Sequence, residues 1–219
     1  MMMMPENHTL NRKDIKHARI KVSEDGSVGV IVPFSFTDDD ILALITKKSK
    51  WIEKQRAFFS KKSRIELARN QLLLFGNRYS YFYDDTYSRK IVVDHGYKTI
   101  RAKRDLLESA IQKRWYKNEA RKYLISRTEE LAERLHFKYK VIYIRDQRTK
   151  LGNCSDERNI SLNWRLIKAP RLVSDYIIIH ELVHTKIMNH SGKFWTLLKS
   201  LYPDYKDAMN WLDKYGNSL

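Results

Sequence analysis

Three of the seven histidines in this chain fall within eleven residues, at His180, His184 and His190, and they restrict its fold more than any other feature. His180 and His184 are four apart, so on a helix their rings lie on one side, one turn above the other. Two imidazoles so placed reach a single zinc ion, with Glu181 beside them to take a proton from water. His190 completes a three-ligand set and leaves a fourth position open. The helix must therefore lie deep enough to keep the site partly dry, and the chain must turn soon after it. Both demands are met locally. Tyr176 to Ile179 is an apolar run, and Asn189 suits a left-handed helix stop. Ser191 then caps a helix whose Phe194, Leu197, Leu198 and Leu201 share one face. The expected metal ligands are His180, His184 and His190, the expected cofactor is Zn2+, and Glu181 is the expected general base rather than a ligand.

The ligand spacing is that of the metzincins, but the glycine expected three residues after the second histidine is Ile187 here. The turn must come later, near Asn189, which argues for a separate lineage.

The chain has 219 residues, enough for one large domain or two small ones, and 42% hydrophobic content excludes a disordered polymer. Lys and Arg outnumber Asp and Glu by 42 to 26, a net charge of +16. That surplus favours anionic neighbours, nucleic acid among them, although no nucleic-acid-binding motif accompanies it. The single cysteine, Cys154, excludes an intrachain disulfide and points to a reducing, cytoplasmic setting. Met1 to Met4 is too short an apolar run for a signal peptide, and no apolar run is long enough to span a bilayer.

Taken in order, Ala18 to Val22 and Val28 to Val32 alternate as a hairpin around a Glu24-Asp25-Gly26 turn, after a polar start. Thr37 and the carboxylates Asp38, Asp39 and Asp40 begin a helix that runs to about Lys61. Its lysines, Lys47 to Lys62, surround Trp51 and Phe58. A solvated face with a buried aromatic stripe accounts for this pattern, and a base-stacking surface is the alternative. Short strands are expected at Leu72 to Phe75, Tyr79 to Tyr83, Ile91 to Val93 and Lys98 to Ile100. A long helix follows from Asp105 to about His136, then a strand at Tyr139 to Ile144. Gly152-Asn153 reads as a turn or bulge, Ile160 to Trp164 as a strand, and Pro170 as the start of the helix that carries the histidines.

Ile179-His-Glu-Leu-Val-His184, Met188-Asn-His-Ser191 and Phe194-Trp195 together resemble the YgjP-like metallopeptidases, zinc-dependent hydrolases related to the SprT and WLM proteases. Gly152-Asn153-Cys154-Ser155 and Asn159 to Leu166 are similar to that family's second motif, with Leu151 where the family usually has tryptophan. The segment from Gly26 to Pro33 and the Trp51-Ile52 pair fit its hairpin and helix. The chain reads as α+β: a β-rich N-terminal part with one basic helix, 1–100, gives way to a catalytic part, 101–219. The change comes near Arg101, where β-branched residues and tyrosines yield to helix formers. For the catalytic part the resemblance implies a zincin-like, minigluzincin core. It also implies a zinc metallopeptidase with the ligands and base named above and a protein or peptide substrate. A strand from Asn159 to Trp164 would offer backbone groups to that substrate, with Asn163 and Trp164 as its contacts. The alternative is a DNA-associated protein whose peptidase activity is directed at nucleic-acid-bound proteins. No membrane is expected as a partner.

Overall fold

The computed structural model describes residues 7–23, 25–60, 63–86 and 91–219. Met1 to Glu6, Glu24 in the first turn, and Lys61 and Lys62 of the basic stretch lie outside these. The chain is α+β and divides into two compact units, Met1–Arg64 and Ile65–Leu219.

In the first unit β2 (Arg19–Val22) and β3 (Val28–Pro33) form the expected antiparallel hairpin. A further strand, β1 (His8–Lys13), runs parallel to β3 on its other side. Only Leu10 among its residues is strongly apolar, so a segment that reads as polar forms a strand through main-chain pairing. Helix α1 (Asp38–Ser60) starts with a reciprocal cap: Thr37 Oγ1 accepts from the Asp40 amide, and Asp40 Oδ2 accepts from the Thr37 amide and hydroxyl. Its Ile41, Ile45 and Ile52 meet Val22, Val28, Val30 and Val32 in one small core. Trp51 and Phe58 are not a buried stripe; they remain exposed among the lysines.

The second unit begins with a four-stranded sheet of β4 (Gln71–Leu74), β5 (Asn77–Tyr83), β6 (Ile91–Asp94) and β7 (Thr99–Ala102), in the order β4-β5-β7-β6. Helix α2 (Ser109–Arg134) packs Trp115, Tyr116, Ala120, Leu124 and Leu131 into a core shared with that sheet. A three-stranded sheet of β8 (Ile142–Arg145), β9 (Gly152–Cys154) and β10 (Ile160–Asn163) follows, with β10 in the middle. A 3-10 turn (Trp164–Lys168) then leads through α3 (Arg171–His184), α4 (Gly192–Leu201) and α5 (Tyr205–Tyr215). The sheet of β4 to β7 thus shares its core with the histidine helix, within the compact unit that begins at Ile65.

Helix α3 is held from several sides. Gly76, in the β4–β5 turn, has φ +75°, and a Cβ there would stand 2.6 Å from Cγ of Pro170, the residue that precedes the helix. The Phe75 and Gly76 amides donate to Ile167 and Lys168 carbonyls of the 3-10 turn. Arg127 of α2 grips the Asp175 carboxylate of α3 with two hydrogen bonds of 2.8 and 2.6 Å. Ile178, Ile179, Leu182 and Val183 are almost wholly buried. No helix among the described residues is long and apolar enough to cross a membrane.

Candidate metal centre

Helix α3 ends at His184, and the backbone then winds through Thr185 to Ile187, whose amides reach back to Leu182 and Val183 carbonyls. Asn189 does not adopt the left-handed conformation expected of it. Its side chain instead accepts from the Ser191 amide at 3.3 Å, which tightens the turn carrying His190. Ser191 precedes α4 but makes no side-chain cap.

The turn brings three ring nitrogens together. His180 and His184 Nε2 are 3.1 Å apart, His184 and His190 Nε2 3.2 Å, and His190 and His180 Nε2 3.1 Å. Among the described residues this is the one group of three or more possible metal-ligating side chains. His184 Nδ1 lies 3.0 Å from the Ile187 carbonyl oxygen. Since that oxygen only accepts, Nδ1 carries the proton and the Nε2 lone pair faces the other rings. A tetrahedral zinc site with Zn–N bonds of about 2.0–2.1 Å sets its nitrogens about 3.3 Å apart. The observed triangle is of that size, so the residues present fit such an ion.

Phe194 of α4 lies beneath all three rings, with centroids 4.9 Å from His180, 4.6 Å from His184 and 4.8 Å from His190. It is fully buried, and it turns three imidazoles on two segments into one packed unit. Its place on an apolar helix face was legible in the sequence; its place under the rings was not. Burial, followed by the neighbouring imidazoles, lowers the His180 pKa to about 4, and burial lowers that of His184. Both rings are thereby kept neutral, the form that ligates metal.

Glu181 is 5% exposed, and burial pushes its carboxyl up to about 8, with Lys150 acting in the opposite sense. Strand β9 lies directly against it. The segment expected to be a turn is therefore a short strand, and Gly152 is the point of contact: a Cβ there would stand 2.4 Å from Glu181 Oε1. Cys154 is half-buried on the same strand, its thiol pushed up to about 11 by burial and then by Glu181.

Asn163 and Trp164, the candidate substrate residues, are 2% and 5% exposed. Asn163 Nδ2 donates to the Gln147 and Lys150 carbonyls, 2.8 Å each, and its Oδ1 accepts from the Arg165 amide. The Trp164 indole donates to Asp146, which also binds Lys113 at 2.7 Å and Arg165 at 2.7 Å. These contacts fasten the loop that leads into β9. Strand β10, paired on both sides, has no edge to offer, whereas β9 is an outer strand. A cavity of ≈ 330 Å³ adjoins β9, lined by Leu151, Tyr176, Ile177, Met209 and Leu212 beside His180 and Glu181.

No curated protein matches the chain. Among solved structures, the crystal structure of the metallopeptidase zymogen of Pyrococcus abyssi abylysin is similar at 24% sequence identity and a TM-score of 0.37, over 42% of this chain and 97% of that one. The family described as YgjP-like, metallopeptidase domain, matches residues 16–215, nearly the whole chain. The chain belongs to the YgjP-like metallopeptidase family.

Proposed function

We propose that the chain is a zinc-dependent peptidase in which His180, His184 and His190 hold the ion and Glu181 is the general base. One observation carries this reading: three Nε2 atoms converge within 3.2 Å of one another, with a buried carboxylate on the next residue. Zinc held there supplies a Lewis acid for a substrate carbonyl and draws the pKa of water toward about 7. Glu181 accepts a proton from the attacking water and delivers it to the leaving amine. Burial, which strengthens its hold on a proton, suits both steps. The helix–turn–helix of α3 and α4 with β9 alongside supports a zincin-like, minigluzincin arrangement within residues 101–219.

The outer edge of β9 pairs with no strand among the described residues, which supports an extended peptide bound along it. Leu151, Ile177, Met209 and Leu212 in the lining of the adjoining cavity, which also holds Lys150 and Asp213, support a large hydrophobic side chain of that peptide. The single cysteine supports a cytoplasmic setting. Net charge is the observation behind a second reading, in which cleavage is directed at nucleic-acid-bound proteins. Binding to a random duplex as salt is raised separates the two, since only the second requires it.

Glu181→Gln tests the leading proposal. The variant should keep the metal and lose hydrolysis of unfolded protein substrates, while a chelator should abolish wild-type hydrolysis and added zinc restore it. Full activity in Glu181→Gln would remove the proposal.

A further inference from the structure

A groove of ≈ 700 Å³ lies between β6 and the first half of α2, and it shares no lining residue with the cavity beside Glu181. Ile91 and Val93 of β6 line it with Ile111 and Trp115 of α2, so its interior is partly apolar. A hollow of ≈ 310 Å³ continues it along α2, with Val93, Glu119 and Lys122 in the wall of both. Each volume falls within the range of about 300–1,000 Å³ usual for binding sites.

The charge on this groove is one-sided. Arg104, Arg114, Arg121 and Lys122 face it, against one acid, Glu119, which Lys122 engages at 2.8 Å. Among the described residues, Arg104, Arg114 and Arg121 have no ion-pair partner. The indole N–H of Trp115 is buried in the same region and has no acceptor among the described residues. Three guanidiniums without counter-ions form a fork array suited to carboxylates.

The strand on the other wall narrows the choice of ligand. β6 is the last strand of its sheet, paired only with β7, and no described strand covers its outer edge. A polypeptide can satisfy that open row of main-chain donors and acceptors; a phosphodiester backbone cannot. Side chains on one face of an added strand recur about every 6.6 Å. Arg114 and Arg121, seven residues apart on α2, stand about 10 Å apart along its axis. Three acidic side chains on one face of such a strand cover that distance, about 13 Å from first to last.

We propose that this groove binds an extended acidic segment of a partner protein, which adds to β6 as a fifth strand and places its carboxylates against Arg104, Arg114 and Arg121. The proposal is independent of the metal centre, and its failure would leave the peptidase reading intact.

The test is fluorescence anisotropy of the full chain with three labelled probes: an alternating Glu-Val octapeptide, an alternating Lys-Val octapeptide and a random DNA duplex. The Glu-Val peptide should bind, and the Lys-Val peptide should not. Arg114→Glu with Arg121→Glu should weaken the acidic peptide about tenfold or more, and Arg114→Gln with Arg121→Gln by less. Both pairs replace exposed side chains, so circular dichroism and hydrolysis of a short neutral peptide should remain as in wild type. Hydrogen exchange at residues 91–94 should slow when the acidic peptide is bound. An unchanged affinity in the charge-reversed protein, or unchanged exchange at 91–94, would overturn the proposal. So would duplex DNA that displaces the peptide and shows the same sensitivity to the arginines, since the groove would then be a nucleic-acid surface.

Discussion

Gly152 and Glu181 are packed so tightly that a methyl group on the Cα of Gly152 would stand 2.4 Å from Oε1 and 2.8 Å from Cδ of the glutamate. Helix α3 is locked into the core and cannot retreat, so the carboxylate would have to swing aside. Gly152→Ala should therefore lower kcat/KM by about a hundredfold, with metal content unchanged. Parallel kinetics and metal analysis check this, and wild-type kinetics in the variant would show that the carboxylate position does not matter.

The pH dependence of the metal-stripped protein follows from the same burial. Glu181 has a folded pKa of about 8 against an ordinary 4.5, so the folded state keeps a proton that the unfolded chain releases between those values. Its stability is complete below the lower value and declines as pH rises toward the upper one. His180, at about 4 against 6.5, acts in the other direction, and stability is lost as pH falls between those values. Glu181→Gln removes only the alkaline loss. Its Tm without metal should exceed that of wild type by several degrees near pH 8 and should match it near pH 5. Scanning calorimetry at the two pH values decides the matter.

Phe194 should govern metal affinity without touching the metal. Phe194→Ala leaves a void under three rings at once, so each imidazole gains freedom that binding must remove. Zinc affinity should fall by about ten- to a hundredfold, the usual cost of losing a support behind the ligands. Phe194→Leu, which fills more of the space, should lose less. Competition with a chromophoric chelator measures both.

The Arg127–Asp175 pair joins α2 to the histidine helix through two hydrogen bonds, and both side chains are mostly buried. Asp175→Ala leaves the guanidinium with Glu130 alone. It should destabilise the protein by about 1–2 kcal/mol, a Tm loss of several degrees. Thermal unfolding at two salt concentrations checks this, since a partly buried pair is screened less than a surface one.

How much of this could be read from the sequence depended on whether a signal was local. His180, His184 and Glu181 are fixed by the period of one helix, and His190 by a short turn, so the meeting of the three rings was legible before the fold was. The strands of the four-stranded sheet also declared themselves, as short apolar and aromatic runs between turn residues. Strand β1 did not, because its stability lies in pairing with β3 and its side chains are largely polar. Gly152 read as a turn residue because glycine usually is one; that a carboxylate fills the space above it depends on β9 and α3 meeting across the fold. Asn163 and Trp164 were singled out as residues of the strand expected beside the site, and what holds them there was not legible. Their hydrogen-bond partners, Gln147, Lys150 and Asp146, lie in a loop whose path no periodicity describes. The extent of the second unit's core was hidden for a related reason: it joins the sheet to α2 and α3 across the change in composition near residue 100.

Zinc content measured in parallel on wild type, Glu181→Gln and His184→Ala, each purified without added metal, tests the central claim most directly. About one equivalent is predicted in the first two proteins and less than about a tenth in the third, because His184 provides one corner of the nitrogen triangle and Glu181 none. Equal zinc in all three, or none in any, would contradict it.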